Sequence, residues 1–124
     1  MSSIVLYLKT HQPFRIKKYT AFDIGKNHEY FNDTSELDTN NQKILLKVAQ
    51  KSYEPTNNIL LELLNNHPEF CFSISLSGVL LEQLEKYSPK TLLSFKKLID
   101  TGRVEVLGET YYHSLSFFYS KDEF

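Results

Sequence analysis

The sequence lacks tryptophan, carries one cysteine, and shows almost no net charge: 14 Lys and Arg against 15 Asp and Glu, a balance of −1. Each shortage excludes something. With Cys71 alone, no disulfide forms within the chain and no Cys-x-x-Cys pair can hold a metal. Phe70 and Phe72 flank it, so a buried, unreactive thiol is expected. The balanced charge leaves no electrostatic footprint for nucleic acid or an anionic membrane. The short basic run Arg15-Ile16-Lys17-Lys18 reads as a solvated loop. No stretch approaches the roughly 20 apolar residues of a membrane helix, and no charged segment leads into a long apolar run at the N-terminus. A cytoplasmic location is the default expectation. Internal repeats and low-complexity segments are also absent.

What is present is a 124-residue chain with 41% hydrophobic residues, eight tyrosines and nine phenylalanines. It suits one globular unit over residues 1–124 without an internal boundary, able to bury roughly two-thirds of its unfolded surface. Ile4 to Leu8 forms a short apolar run ending near Gln12-Pro13, the pattern of a strand covered on both faces. Phe14 to Asn40 has no period and mixes aromatics with Gly25, Asn27, Asn32, Asp33 and Thr34; so long a loop is usually functional. Ile44, Leu45, Val48 and Ala49 predict a helix capped by Asn40 or Asn41. Pro55 predicts a break before a second helix carrying Ile59, Leu60, Leu63 and Leu64, which Asn65, Asn66 and Pro68 end.

Phe70 to Leu76 alternates, with Phe70, Phe72, Ile74 and Leu76 on one face and Cys71, Ser73, Ser75 and Ser77 on the other. A helix over Val79–Tyr87 follows, with Leu80, Leu81, Leu84 and Tyr87 as its stripe. Ser88 and Pro89 then open another helix over Lys90–Asp100, with Leu92, Leu93, Phe95, Leu98 and Ile99 apolar. Gly102 stands where a left-handed terminator belongs, and Arg103 to Leu107 is a third strand. Tyr111 to Tyr119 is aromatic-rich and begins a further excursion. This order predicts an α/β fold with two βαβ crossovers and parallel strands.

Parallel sheets and barrels place their sites at the carboxyl ends of the strands. Three ends carry polar residues. His11-Gln12-Pro13 follows the first strand; imidazole and amide can both donate to and accept from hydroxyl groups, although a surface turn would read the same way. On the second strand the serine face would point inward, Ser73 as lumen filler and Ser77 within reach of a ligand. On the third, Glu105 interrupts an apolar run between Val104 and Val106, where a buried carboxylate is costly unless paired. If the valines pack outward on helices, Glu105 points into the lumen; a structural salt bridge is the alternative. Glu109, Tyr111, Tyr112 and His113 lie just beyond the same strand, a suitable lining for a polar ring with apolar faces.

These residues resemble a known family. His11-Gln12-Pro13 looks like the first signature region of glycoside hydrolase family 57. Gly102-Arg103-Val104-Glu105, followed by Tyr111-Tyr112-His113, looks like the second. The stretches HPEFCFSISLSGVLLEQL and DTGRVEVLGETYYHSLS resemble its α-amylase branch, and the likeness covers essentially the whole chain. The resemblance implies the N-terminal part of a (β/α)₇-type barrel, about three βα units, acting with retention on α-glucosidic bonds. α-Amylases and 4-α-glucanotransferases are among such enzymes, and an α-glucan or maltooligosaccharide is the implied substrate, without cofactor or metal.

By the same resemblance, His11 and Glu105 line the subsite nearest cleavage, on neighbouring strand ends. Gln12, Tyr112 and His113 flank it, with Glu109 and Tyr111 nearby. The family's Glu nucleophile and Asp acid/base belong to later regions that do not occur in this sequence, so no catalytic residue is assigned and the chain is expected to be inactive alone. Glu105 and Glu109, four residues apart in an extended strand, would stand about 13 Å apart, too far for a retaining pair at about 5–5.5 Å, although a turn at Gly108 could shorten the separation. Three strands leave two free edges, so the chain is expected to be marginally stable or prone to associate, with the missing part of the barrel as a partner.

Two other readings compete. One is a non-catalytic carbohydrate-binding or split-barrel assembly module completed by a separately encoded partner. The other is a metal-dependent deacetylase, which needs a His-x-x-x-His pair; His11, His28, His67 and His113 have no such spacing.

Overall fold

The structure is a computed structural model that describes residues 4–26, 29–31 and 38–122. Three strands make one parallel sheet in the order β1-β2-β3: β1 (Tyr7–Thr10), β2 (Phe72–Leu76) and β3 (Val104–Leu107). The expected α/β alternation is therefore present, as an open sheet. Helices α1 (Asn41–Val48) and α2 (Glu54–Asn66) occupy the first crossover, α3 (Gly78–Tyr87) and α4 (Pro89–Asp100) the second. The loop residues Asn27, His28, Asn32, Asp33 and Thr34 lie outside the described residues. Within the rest of that segment, Ala21–Asp23 forms one 3₁₀ turn.

Helix boundaries follow local chemistry. Asn40 caps α1 by accepting from the Lys43 N–H at 2.9 Å. The predicted break at Pro55 does not occur. Ala49–Tyr53 continues α1 into α2 as a π-helical turn, with the Glu54 N–H donating five residues back to the Ala49 carbonyl. The wider turn gives the proline ring room where a regular α-turn would clash with the carbonyl four residues earlier. Gly102 takes φ +72° after α4, as a left-handed terminator should. The Ser88 hydroxyl makes no backbone cap and pairs instead with Thr91 Oγ1 at 2.8 Å.

The core lies between one face of the sheet and the helices. Phe72, Ile74 and Val104 meet Leu45, Leu60, Leu64, Leu80, Leu84, Phe95 and Leu98. Burying aliphatic side chains of this size stabilises by about 1.5–3 kcal/mol each. A polar seam runs alongside: Glu54 accepts from Lys90 Nζ and Thr91 Oγ1, both at 2.9 Å, and Asn57 donates to Ser94 Oγ at 2.8 Å, tying α2 to α4. Arg103 closes the end of α2. Its guanidinium donates to the carbonyl of Leu64, one of those that a helix end leaves without a partner, and to those of His67 (3.0 Å) and Pro68 (3.3 Å) just beyond it.

Several expectations change. The first strand is Tyr7–Thr10, later than the apolar run at Ile4–Leu8, and Ile4 and Val5 are 98% and 83% exposed. On an edge strand, register with β2 decides which residues pair, and no element covers the earlier residues. Cys71 is exposed, because it precedes β2 at the uncovered lower end of the sheet. Leu93 and Ile59 lie outside the buried stripes of their helices, and Val106 is exposed while Val104 is buried. Arg15 is not wholly solvated: its Nη1 is buried without a hydrogen-bond partner.

Candidate functional site

Register sorts the face of the sheet opposite the helices into layers. Tyr7, Ser73 and Glu105 are matched across the three strands, and Lys9, Ser75 and Leu107 form the next layer. Alternation then brings His11, Ser77 and Glu109 to the carboxyl end. The side-chain contacts agree. Ser73 Oγ donates to Glu105 Oε2 at 3.0 Å, Tyr7 Oη shares a hydrogen bond with Ser75 Oγ at 2.8 Å, and His11 Nδ1 shares one with Ser77 Oγ at 2.7 Å. Each serine of β2 therefore orients a side chain from a neighbouring strand. Ser77, expected to reach a ligand, is fully buried and serves instead to fix the His11 ring.

The carboxyl-end cluster holds His11, Glu109, His113 and Lys9. Glu109 Oε2 lies 3.4 Å from His113 Nδ1 and 3.5 Å from Lys9 Nζ, and the two imidazoles stand 5.0 Å apart between centroids. The Glu109 side chain is only 10% exposed, and neither of its oxygens accepts a hydrogen bond. Desolvation, followed by the nearby His113, lowers the pKa of His11 below its ordinary 6.5, while Glu109 pulls the other way. His11 is thus neutral near pH 7, able to donate from one ring nitrogen and accept at the other.

The segment after β3 places His113. Its N–H donates to the Thr110 carbonyl at 3.0 Å, Ser114 N–H donates to Thr110 Oγ1 at 2.7 Å, and His113 itself takes φ +56°. A non-glycine residue there costs about 1 kcal/mol or more, which the turn's hydrogen bonds and the Glu109 contact offset. Tyr111 fastens the segment to α3. The Ser77 hydroxyl is engaged by His11 and gives that helix no side-chain cap, so the Tyr111 carbonyl accepts from the Val79 N–H at 3.1 Å. The Tyr111 hydroxyl donates to Glu82 Oε2 at 2.8 Å, and its ring lies where a Cβ on Gly78 would have to be.

The seven sequence candidates therefore divide. His11, Glu109 and His113 meet in one cluster, with Tyr112 71% exposed at its rim and Tyr111 clasped to α3. Gln12 is buried, its carbonyl accepting from Gln83 Nε2 at 2.6 Å. Glu105 sits two layers below and is exposed, bonded to Ser73. His11 and Glu105 are also not on neighbouring strands, since β2 runs between β1 and β3. Burial of Glu105, and its cost, are absent because the sheet is open. Lys9 and Gln83 were missed as supports, and Ser77 was read as a ligand contact rather than a support; strict alternation from Tyr7 through His11 was the signal for Lys9.

The class that these elements define is an α/β fold with an open parallel sheet whose polar face converges on its carboxyl end. Residues 5–124 match the family described as Glycosyl hydrolase family 57. The chain belongs to that family.

Among curated relatives, a Methanocaldococcus jannaschii protein provisionally named an alpha-amylase is 38% identical over 122 residues, 98% of this chain and 25% of its own length. Alpha-amylases of Pyrococcus abyssi and Pyrococcus horikoshii are each 32% identical, over 52% and 58% of this chain and 10% and 11% of theirs. The chain thus spans a quarter or less of the relatives it matches. No solved structure matches it significantly. Among the described residues, no helix is long and apolar enough to cross a membrane.

Proposed function

We propose that this chain forms the N-terminal, substrate-binding part of a retaining α-glucan hydrolase or transferase of the (β/α)₇ type, and that it binds a glucan without cleaving it. One observation carries the reading. Glu109 is buried to nine-tenths, accepts no hydrogen bond, and sits beside two imidazoles at the carboxyl end of a parallel sheet. A carboxylate desolvated in this way gains most from donors brought by a ligand, and sugar hydroxyls are such donors. His11 and His113 would hold the same ring, with Tyr112 and Tyr111 at its edge. Gln12 and Glu105 would support it from below and outside.

Cleavage with retention needs two carboxylates about 5–5.5 Å apart. Glu105 pairs with Ser73 while Glu109 contacts Lys9 and His113, which places them in different layers. The chain's own residues therefore bind and orient, and the nucleophile and acid/base are assigned to parts of the barrel outside these 124 residues. The test is to incubate the purified chain with maltooligosaccharides. Saturable binding without new reducing ends is expected; hydrolysis that persists after contaminating amylase is excluded would refute the division of labour.

The open edges at β1 and β3 also suit a non-catalytic module completed by a separately encoded partner. The coding sequence after Phe124 separates the two readings: an in-frame continuation bearing a catalytic Glu supports the first.

A further inference from the structure

Beside the cluster lies a cleft of about 770 Å³, between the segment that follows β1 and one side of α3. One wall is aromatic, formed by Phe14, Tyr30 and Phe31. The other is α3, from Val79 through Glu82 to Lys86 and Tyr87. That stretch of helix is about 12 Å long at 1.5 Å per residue, enough to run beside more than one sugar ring. His11 and Tyr112 line this cleft, so it opens directly beside the cluster to which His11 belongs.

The aromatic wall is fixed in advance. Asn41, only 3% exposed, donates from Nδ2 to the carbonyls of Phe31 (2.8 Å) and Arg15 (2.9 Å), and accepts from the Arg15 N–H at 2.7 Å. The Phe14 ring rests against Phe31 at 5.4 Å, and Tyr19 against Tyr30 at 5.2 Å. Even so, Tyr30 and Phe31 remain 40% and 49% exposed. Preorganised rings that keep exposed surface lower the ordering cost of any ligand that stacks on them.

The polar groups narrow the ligand class. Among the described lining residues, Glu29 and Glu82 stand with Lys86, so the lining carries no positive excess to invite a phosphate or another anion. A neutral ring with an apolar C–H face and hydroxyl edges matches both walls. We propose that this cleft is a second carbohydrate subsite, holding the distal rings of an α-glucan whose first ring lies in the His11–Glu109–His113 cluster. This rests on the glucan reading of that cluster.

The experiment is calorimetric titration of the 124-residue chain with maltotriose and with maltoheptaose, for the unsubstituted protein, Phe31→Ala and Glu109→Gln. Phe31→Ala is expected to weaken maltoheptaose about two- to tenfold, the range of one aromatic contact, and to leave maltotriose unchanged. Glu109→Gln should weaken both. If Phe31→Ala alters neither, the second subsite is wrong while the cluster stands. If the unsubstituted chain binds neither sugar, the glucan reading fails and takes the subsite with it. Backbone amide shifts give an independent answer that needs no variant: Gln42 and Lys86 should move with maltoheptaose and not with maltotriose. Shifts confined to the cluster would overturn the proposal.

Discussion

Replacing Gly78 by alanine sets two local effects against each other. Alanine is the better helix former by about 0.8–1.0 kcal/mol in a helix interior, and by less at this first position. The new Cβ, however, would overlap the Tyr111 ring and push it away from α3. The Val79 N–H then loses the Tyr111 carbonyl, a bond contributing about 0.5–1.5 kcal/mol, and the Tyr111 hydroxyl leaves Glu82. The two sides nearly cancel, so global stability should shift by less than about 1 kcal/mol and the melting temperature should barely move.

The local change should be much larger. Hydrogen exchange read by NMR should show faster exchange at the Val79 amide by about tenfold, since 1.4 kcal/mol corresponds to one factor of ten. His113, held two residues beyond Tyr111, should lose its close approach to His11. An unchanged Val79 exchange rate with His113 still against His11 would refute the view that Tyr111 both caps α3 and positions the cluster.

Arg103→Met should destabilise the chain by about 1–3 kcal/mol in urea, because the carbonyls of Leu64, His67 and Pro68 lose a charged donor; a change under a few tenths would contradict that role. His11 should titrate below 6.5 in an imidazole NMR titration, and lower still in Glu109→Gln, which removes the one influence raising it. Since the folded pKa is depressed, this histidine's contribution to stability is complete above its unfolded value and is lost as pH falls through the folded one. A midpoint at or above 6.5 would count against the desolvated geometry. Sedimentation should show concentration-dependent association of the isolated chain through the edges at β1 and β3 and the exposed Ile4 and Val5; a stable monomer with cooperative unfolding would refute it.

The helices and two of the strands were legible because their signals are local. The Phe70–Leu76 alternation, the α3 stripe and the Gly102 terminator needed nothing beyond period and backbone preference. What failed depended on neighbours. The apolar run at Ile4 looked like a buried strand, yet pairing with β2 moved β1 to Tyr7–Thr10. Pro55 looked like a stop, yet a π turn carries the helix past it. In the site, His11 and His113 could be read from motif and strand end. The larger share of Glu109 could not: its place beside Lys9 and His113 depends on how the chain leaves β3 at Gly108, which no periodicity encodes. Asn41 was read as a cap candidate, whereas its amide clamps the backbones of Arg15 and Phe31.

The proposal on which the others depend is that the carboxyl end of this sheet binds a glucose unit through His11, Glu109 and His113. Its most direct test follows the imidazole resonances of His11 and His113 while maltotriose is added to the chain at pH 7. Both should move together along one saturable curve, and that curve should weaken in Glu109→Gln. Resonances that stay fixed up to millimolar sugar would contradict the claim.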